Sequence, residues 1–238
     1  MKFTNIMLSL MSLALLNSCS SLLPFDKTEK NVSEAVEEPL TPLQTKVKAL
    51  QALPNLYKTQ TRKDKISVQT LNQFQAALLL KQQGQFPQAR DRFIAMSEQH
   101  PDLSGIWLQL ALLVKQQNNE HLQQQHMTRY LNNAISANPL NYLAHNEFAL
   151  VLRQQGQFQQ ALTHYELAIK SWPAFAQGYL NRGILYDLYM GKKSLALDDY
   201  ELYQALSHDS SRQLKGWIID LQRQIKRAQQ NTQTGAML

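Results

Sequence analysis

An eight-residue string occurs twice in this chain. Gln82-Gln83-Gly84-Gln85-Phe86-Pro87-Gln88-Ala89 returns as Gln154-Gln155-Gly156-Gln157-Phe158-Gln159-Gln160-Ala161, seven of eight residues identical and 72 positions apart. The flanks keep the same rhythm. Ala89 is followed by Phe93, Met96 and Pro101, and Ala161 by Tyr165, Ala168 and Pro173. Between them, Leu131, Ala134 and Pro139 repeat the tail of the pattern. Pro139 to Pro173 is 34 residues and Pro101 to Pro139 is 38, so one unit carries about four extra residues. No unit of this length buries its apolar faces alone, so the units must stack.

Composition sets the kind of unit. The chain has 30 Gln among its 238 residues but only 8 Gly, and it lacks long Val/Ile/Thr runs. Gln favours helix, so the fold class is all-α. No GxGxxG or GxxxxGK[ST] string offers a phosphate cradle. A single Cys excludes an intrachain disulfide and a Cys-based metal cage. The net charge of +6 is modest for this length and does not imply a nucleic-acid partner.

Each unit reads as two antiparallel helices. Ala77, Ala111, Ala149 and Gly183 stand where the first helix must approach its partner closely, and Ala89, Ala161 and Ala196 do the same near the start of the second. Phe93, Tyr165 and Tyr200 fill the space between units. Gly84 and Gly156 break the first helix by adopting φ > 0, and Pro101, Pro139 and Pro173 end the second. The extra residues of the second unit fall in the polar string Gln116 to Gln125, as a longer turn or an extended helix end.

This period and residue pattern resemble the tetratricopeptide repeat, TPR. Trp107, Leu110 and Ala111 match the family's opening Trp-x-x-Leu-Gly with Ala for Gly. Tyr179, Arg182, Gly183 and Tyr186 match its Gly and Tyr but not its Leu, and Ala196 and Tyr200 follow one residue late. The resemblance covers roughly residues 70 to 206 and implies a helix-turn-helix solenoid of about four units. Beyond it, Leu214, Trp217, Ile218, Leu221 and Ile225 recur at helical spacing behind a candidate N-cap, Asp209-Ser210-Ser211. Residues 207–238 therefore read as a capping helix and tail.

The N-terminus reads differently. Lys2 precedes the eleven-residue apolar run Ile6 to Leu16, far short of the ~20 residues a membrane-spanning helix needs. Leu16-Asn17-Ser18-Cys19 resembles the lipobox of bacterial lipoproteins. That resemblance implies a signal peptide over residues 1–18 and a lipidated Cys19, stably anchored because each buried CH₂ is worth ~0.8 kcal/mol. The absence of Asp after Cys19 implies the outer membrane, facing the periplasm. Residues 19–69 then read as a lipidated terminus and flexible tether containing a short helix opened by Pro42 and stopped by Pro54. Lys46, Lys48, Lys58, Arg62, Lys63 and Lys65 make the end of this stretch basic, either solvated or facing anionic lipid.

Catalytic and metal chemistry finds no constellation. The six His include no i, i+4 pair and no HExxH, and no GxSxG is present. The adjacent Asp198 and Asp199 read as a solvated helix face. No cofactor, metal or small-molecule substrate is expected, and the chain reads as a non-enzyme. What remains is the concave groove lined by the first helices. Lys81, Lys115, Arg153 and Asp187 occupy equivalent positions on it and are the candidate partner-binding residues. The row preceding them, Leu78, Leu112, Leu150 and Ile184, is partly core. Phe74, Leu78 and Leu108 stand where the carboxylate clamp of chaperone-docking TPR domains needs polar groups. The whole resembles TPR lipoproteins of type IV pilus assembly and of the pilotin type. That implies a membrane-anchored scaffold for protein partners in the cell envelope, serving pilus or secretin biogenesis. The alternative is an adaptor lipoprotein that recruits peptidoglycan hydrolases.

Overall fold

The computed structural model describes residues 39–60, 66–114 and 120–235. The apolar N-terminal run, Cys19 and Lys115 lie outside the described residues. Among the described residues every regular element is helical, and none is long and apolar enough to cross a membrane.

Four helix hairpins stack in chain order: α3 (Val68–Gln82) with α4 (Phe86–Gln99), α5 (Ser104–Val114) with α6 (Glu120–Ala137), α7 (Tyr142–Gln154) with α8 (Phe158–Ser171), and α9 (Ala176–Ile184) with α10 (Lys193–Ser207). The expected close approaches are present. Ala77, Ala111, Ala149, Ala89, Ala161 and Ala196 are all fully buried, and Phe93, Tyr165 and Tyr200 are 0–1% exposed. A Cβ on Gly183 would lie 2.8 Å from the Tyr200 ring, so this position admits no side chain. The turn glycines Gly84, Gly156 and Gly191 take φ of +75°, +74° and +65°, values that cost other residues strain.

Both irregularities of the repeat have a structural cause. α6 is 18 residues long where α4 and α8 are 14, so the four extra residues form one further turn at its N-terminal end. In the fourth unit the late arrival of Ala196 is absorbed by a π-turn, Leu185–Tyr189, between Gly183 and Gly191. A π-turn accommodates one added residue without breaking the helix.

The ends of the stack are closed in two ways. α11 (Arg212–Gly235) lays Leu214, Ile218 and Leu221 against Ala196 and Tyr200, and Ser211 caps it by accepting from the Leu214 N–H. At the other end, the outward positions of α3 have no preceding unit to cover them. Ile106, Leu110 and Leu113 fill these places in α5; Asn72, Ala76 and Leu79 fill them in α3, so two of the three places carry no large apolar side chain, while Leu79 there and Val68 and Leu71 elsewhere on α3 are exposed. Terminal repeats with a polar outer face keep such arrays soluble.

The segment before the repeats is a strap. α1 (Pro42–Ala52) starts on a Thr41/Gln44 capping box and packs Leu43, Val47 and Leu50 against Ile169, Tyr179 and Leu202 of the third and fourth units. α2 (Leu56–Gln60) carries Tyr57 into an aromatic cluster with Tyr142, Trp172 and Phe175. Lys58 stands 5.8 Å over the Trp172 ring. The helices that carry the described part of the basic stretch are therefore packed on the fourth and third units before the chain enters the first, with Lys46, Lys48 and Lys58 themselves exposed.

Gly183→Ala should destabilise the domain by ~1–3 kcal/mol, because its methyl would overpack Tyr200. Gly216→Ala, in α11 with nothing within 4 Å of its Cβ position, should instead stabilise by ~0.5–1 kcal/mol through helix propensity. Urea midpoints of the two variants moving in the same direction would contradict this packing.

Candidate functional site: the first-helix face

First helices of neighbouring units bond each other directly. Lys81 Nζ on α3 donates to Gln109 Oε1 on α5 at 2.8 Å. Asn181 on α9 donates to Asn146 on α7 at 2.8 Å, and Gln177 donates to Asn181 at 3.2 Å. This face is the tight, inner side of the stack. Leu78, Leu112, Leu150 and Ile184 line up along it, each half-buried. They form an apolar floor that the core leaves partly open.

The charged row one turn further on is engaged within the fold. Lys81 ties the first unit to the second through Gln109. Arg153 lies 5.7 Å from the Tyr189 ring, and its Nη1 is enclosed with no hydrogen-bond acceptor among the described residues. Asp187 accepts from Lys193 at 2.6 Å and from the Tyr200 hydroxyl at 3.4 Å. Equivalent sequence positions thus hold three different local chemistries, and Lys115 lies outside the described residues.

Asp199 departs from the solvated face read from the sequence. It is 2% exposed and takes a bidentate pair from Arg182, both bonds at 2.8 Å. Burial pushes its carboxyl up, while the guanidinium, and Lys46 of α1 more weakly, pull it down. Asp198 alone of the two faces solvent.

A second regularity joins successive units. Trp107 Nε1 donates to the Pro101 carbonyl at 2.8 Å, and the Tyr179 hydroxyl to the Pro173 carbonyl at 3.0 Å. His145 Nε2 sits 2.9 Å from the Pro139 carbonyl. Each donor stands six residues after the proline that closes the preceding unit. Because a carbonyl only accepts, His145 carries its proton on Nε2. Its Nδ1 therefore accepts from His164 Nδ1, 2.9 Å away across the hairpin. Burial lowers both imidazoles, and for His164, with His145 adding to the effect, the value falls to about 4. The pair joins two helices, so residue spacing along a single helix does not reveal it.

Residues 129–174 and 146–207 match the profile of the tetratricopeptide repeat family. No curated protein matches the chain. Among solved structures, a thermophilic TPR protein of Thermus thermophilus aligns with a TM-score of 0.51 at 17% identity, over 63% of this chain and 79% of that one. A crystal structure of MamA aligns at 0.50 and 18% identity, over 71% of this chain and 96% of that one. YrrB, described as a TPR protein with an unusual peptide-binding site, aligns at 0.48 and 16%, over 63% and 73% of the two chains. The fold is a TPR solenoid with a capping helix, as expected from the repeat, and repeats of this family mediate protein–protein interactions.

The histidine pair gives a pH test. An unfolded histidine takes its proton near pH 6.5, whereas folded His164 resists until about 4. The stability His164 contributes is therefore complete above ~6.5 and is lost as pH falls towards 4. His164→Asn should show a smaller loss than the parent between pH 7 and 4.5 in urea titrations. Parallel pH profiles for the two proteins would contradict the assignment.

Proposed function

We propose that this protein is a membrane-anchored scaffold whose first-helix face receives a protein partner during assembly of a cell-envelope complex. The carrying observation is the half-buried row Leu78, Leu112, Leu150 and Ile184 running across all four units of a TPR stack. An apolar floor along an inner face suits an extended or helical segment, with anchors spaced about one repeat apart. Lys81 and Arg153 sit at its edge and would bias it towards acidic segments, raising the association rate at low salt. Lipidation of Cys19 is the proposed anchor, supported by an apolar run that ends at the chain's single Cys. Placement in the outer membrane and a role in pilus or secretin biogenesis complete the reading.

Photo-crosslinking residues placed at Leu112 and Leu150 in cells should trap a secretin or pilin. The same residue placed at the exposed second-helix positions Glu98 and Thr163 should not. Crosslinks to a peptidoglycan hydrolase would replace the pilus role with the adaptor role, and equal trapping at all four positions would remove the groove. Cys19→Ala should release the protein from the membrane fraction; a wild-type protein found soluble would remove the anchor.

A further inference from the structure

The fourth unit differs from the others where its first helix ends. Before the turn glycine, the first and third units carry Gln82-Gln83 and Gln154-Gln155, all exposed. The fourth carries Leu188-Tyr189-Met190 on and after the π-turn. Leu188 is 67% exposed and Tyr189 46%. Nothing in stacking requires this, since the other two turns are polar and do the same structural work. Tyr189 packs 5.0 Å from the Phe158 ring of the third unit's turn, so the apolar surface spans two adjacent turns. π-turns inserted into α-helices occur frequently at functional sites, and exposed apolar patches on soluble domains mark interaction sites.

The rim of this patch is cationic. Arg153 lies over one face of Tyr189, and its enclosed Nη1 lacks an acceptor among the described residues. Lys192 stands 5.7 Å over the Tyr186 ring and is otherwise exposed. Asp187, between them in sequence, is already matched by Lys193. Tyr and Arg, which stand side by side here next to the protruding Leu188, are among the residue types enriched at binding hot spots.

We infer that the π-turn patch is a second docking surface that takes a partner segment combining apolar side chains with carboxylates. Leu188, Tyr189 and Phe158 receive the apolar side chains, and Arg153 and Lys192 face the carboxylates. Basic segments are rejected because they would bring like charge to the same rim. The inference rests on the reading of the chain as a protein-binding scaffold, and the patch shares only Arg153 with the edge of the first-helix groove.

The probe is a synthetic labelled peptide of Leu and Phe flanked by Glu, compared with the same peptide carrying Lys in place of Glu. Binding to the full chain is followed by fluorescence anisotropy at two salt concentrations. The acidic peptide should bind, more weakly at high salt, and the basic one should not. Leu188→Gln/Tyr189→Gln restores the residue types of the other turns and should weaken binding at least about tenfold. Leu188→Ser, at a position too exposed to unfold the domain, should weaken it in the same direction. Lys192→Gln should flatten the salt dependence. Unchanged binding in the Leu188 variants would overturn the inference. So would equal binding of acidic and basic peptides, or no binding up to ~1 mM. A self-association abolished by Leu188→Ser would assign the patch to a second copy instead and overturn it too. A Leu112→Gln/Leu150→Gln variant that binds the acidic peptide normally, while a photo-crosslinking residue at Leu78 of the same row loses its partner in cells, would separate this surface from the groove.

Discussion

Close contact between the two helices of each hairpin is the constraint on which the rest depends. Ala77, Ala89, Ala111, Ala149, Ala161 and Ala196 are fully buried, and Gly183 has no room even for a methyl group. Only small residues at these places let the backbones approach far enough for Phe93, Tyr165 and Tyr200 to fill the space behind them. The aromatic then becomes the floor for the next unit, as Tyr200 does for the capping helix through Trp217, 5.6 Å away. Close packing propagates such spacing from unit to unit, and the proline-carbonyl bonds of Trp107, His145 and Tyr179 fix where each new unit begins.

Much of this was legible because the repeat is written in residue types that have few substitutes. The period, the small residues and the turn glycines identified the hairpins and their partners. Even the one-residue delay before Ala196 was visible, though its resolution as a π-turn was not. A sequence shows that a residue has been added but not whether a loop or a helix holds it. The helix α1 was visible from Pro42 and Pro54, yet its seat on Ile169, Tyr179 and Leu202 was not. That contact is specific to this chain and lies outside the repeat pattern.

The site was less legible than the fold, for two separate reasons. Positional equivalence placed Lys81, Arg153 and Asp187 in one row, but what a side chain does depends on neighbours that the repeat does not conserve in type. Gln109 engages the first, an aromatic ring the second, and Lys193 the third. The histidine pair was missed because spacing was sought within one helix. In a hairpin that sets Ala149 against Ala161, His145 falls opposite His164, so the register held the information. Asp199 likewise looked solvated beside Asp198 until Arg182, on the partner helix, supplied its counter-charge.

The strap alters how a structure of this kind comes apart. A stack of hairpins is ordinarily a line in which each member knows only its neighbours, so an end can fray while the middle persists. Here the polypeptide touches the last hairpin through α1, crosses the middle through Tyr57, and only then begins the first hairpin. Fraying at the far end must also release α1. The strap adds to the neighbour-to-neighbour contacts a tie on the last hairpin from a segment that precedes the first, and melting of that end should gain cooperativity accordingly. A pull applied at the start of α1 is borne first by the third and fourth hairpins, the ones farther along the chain.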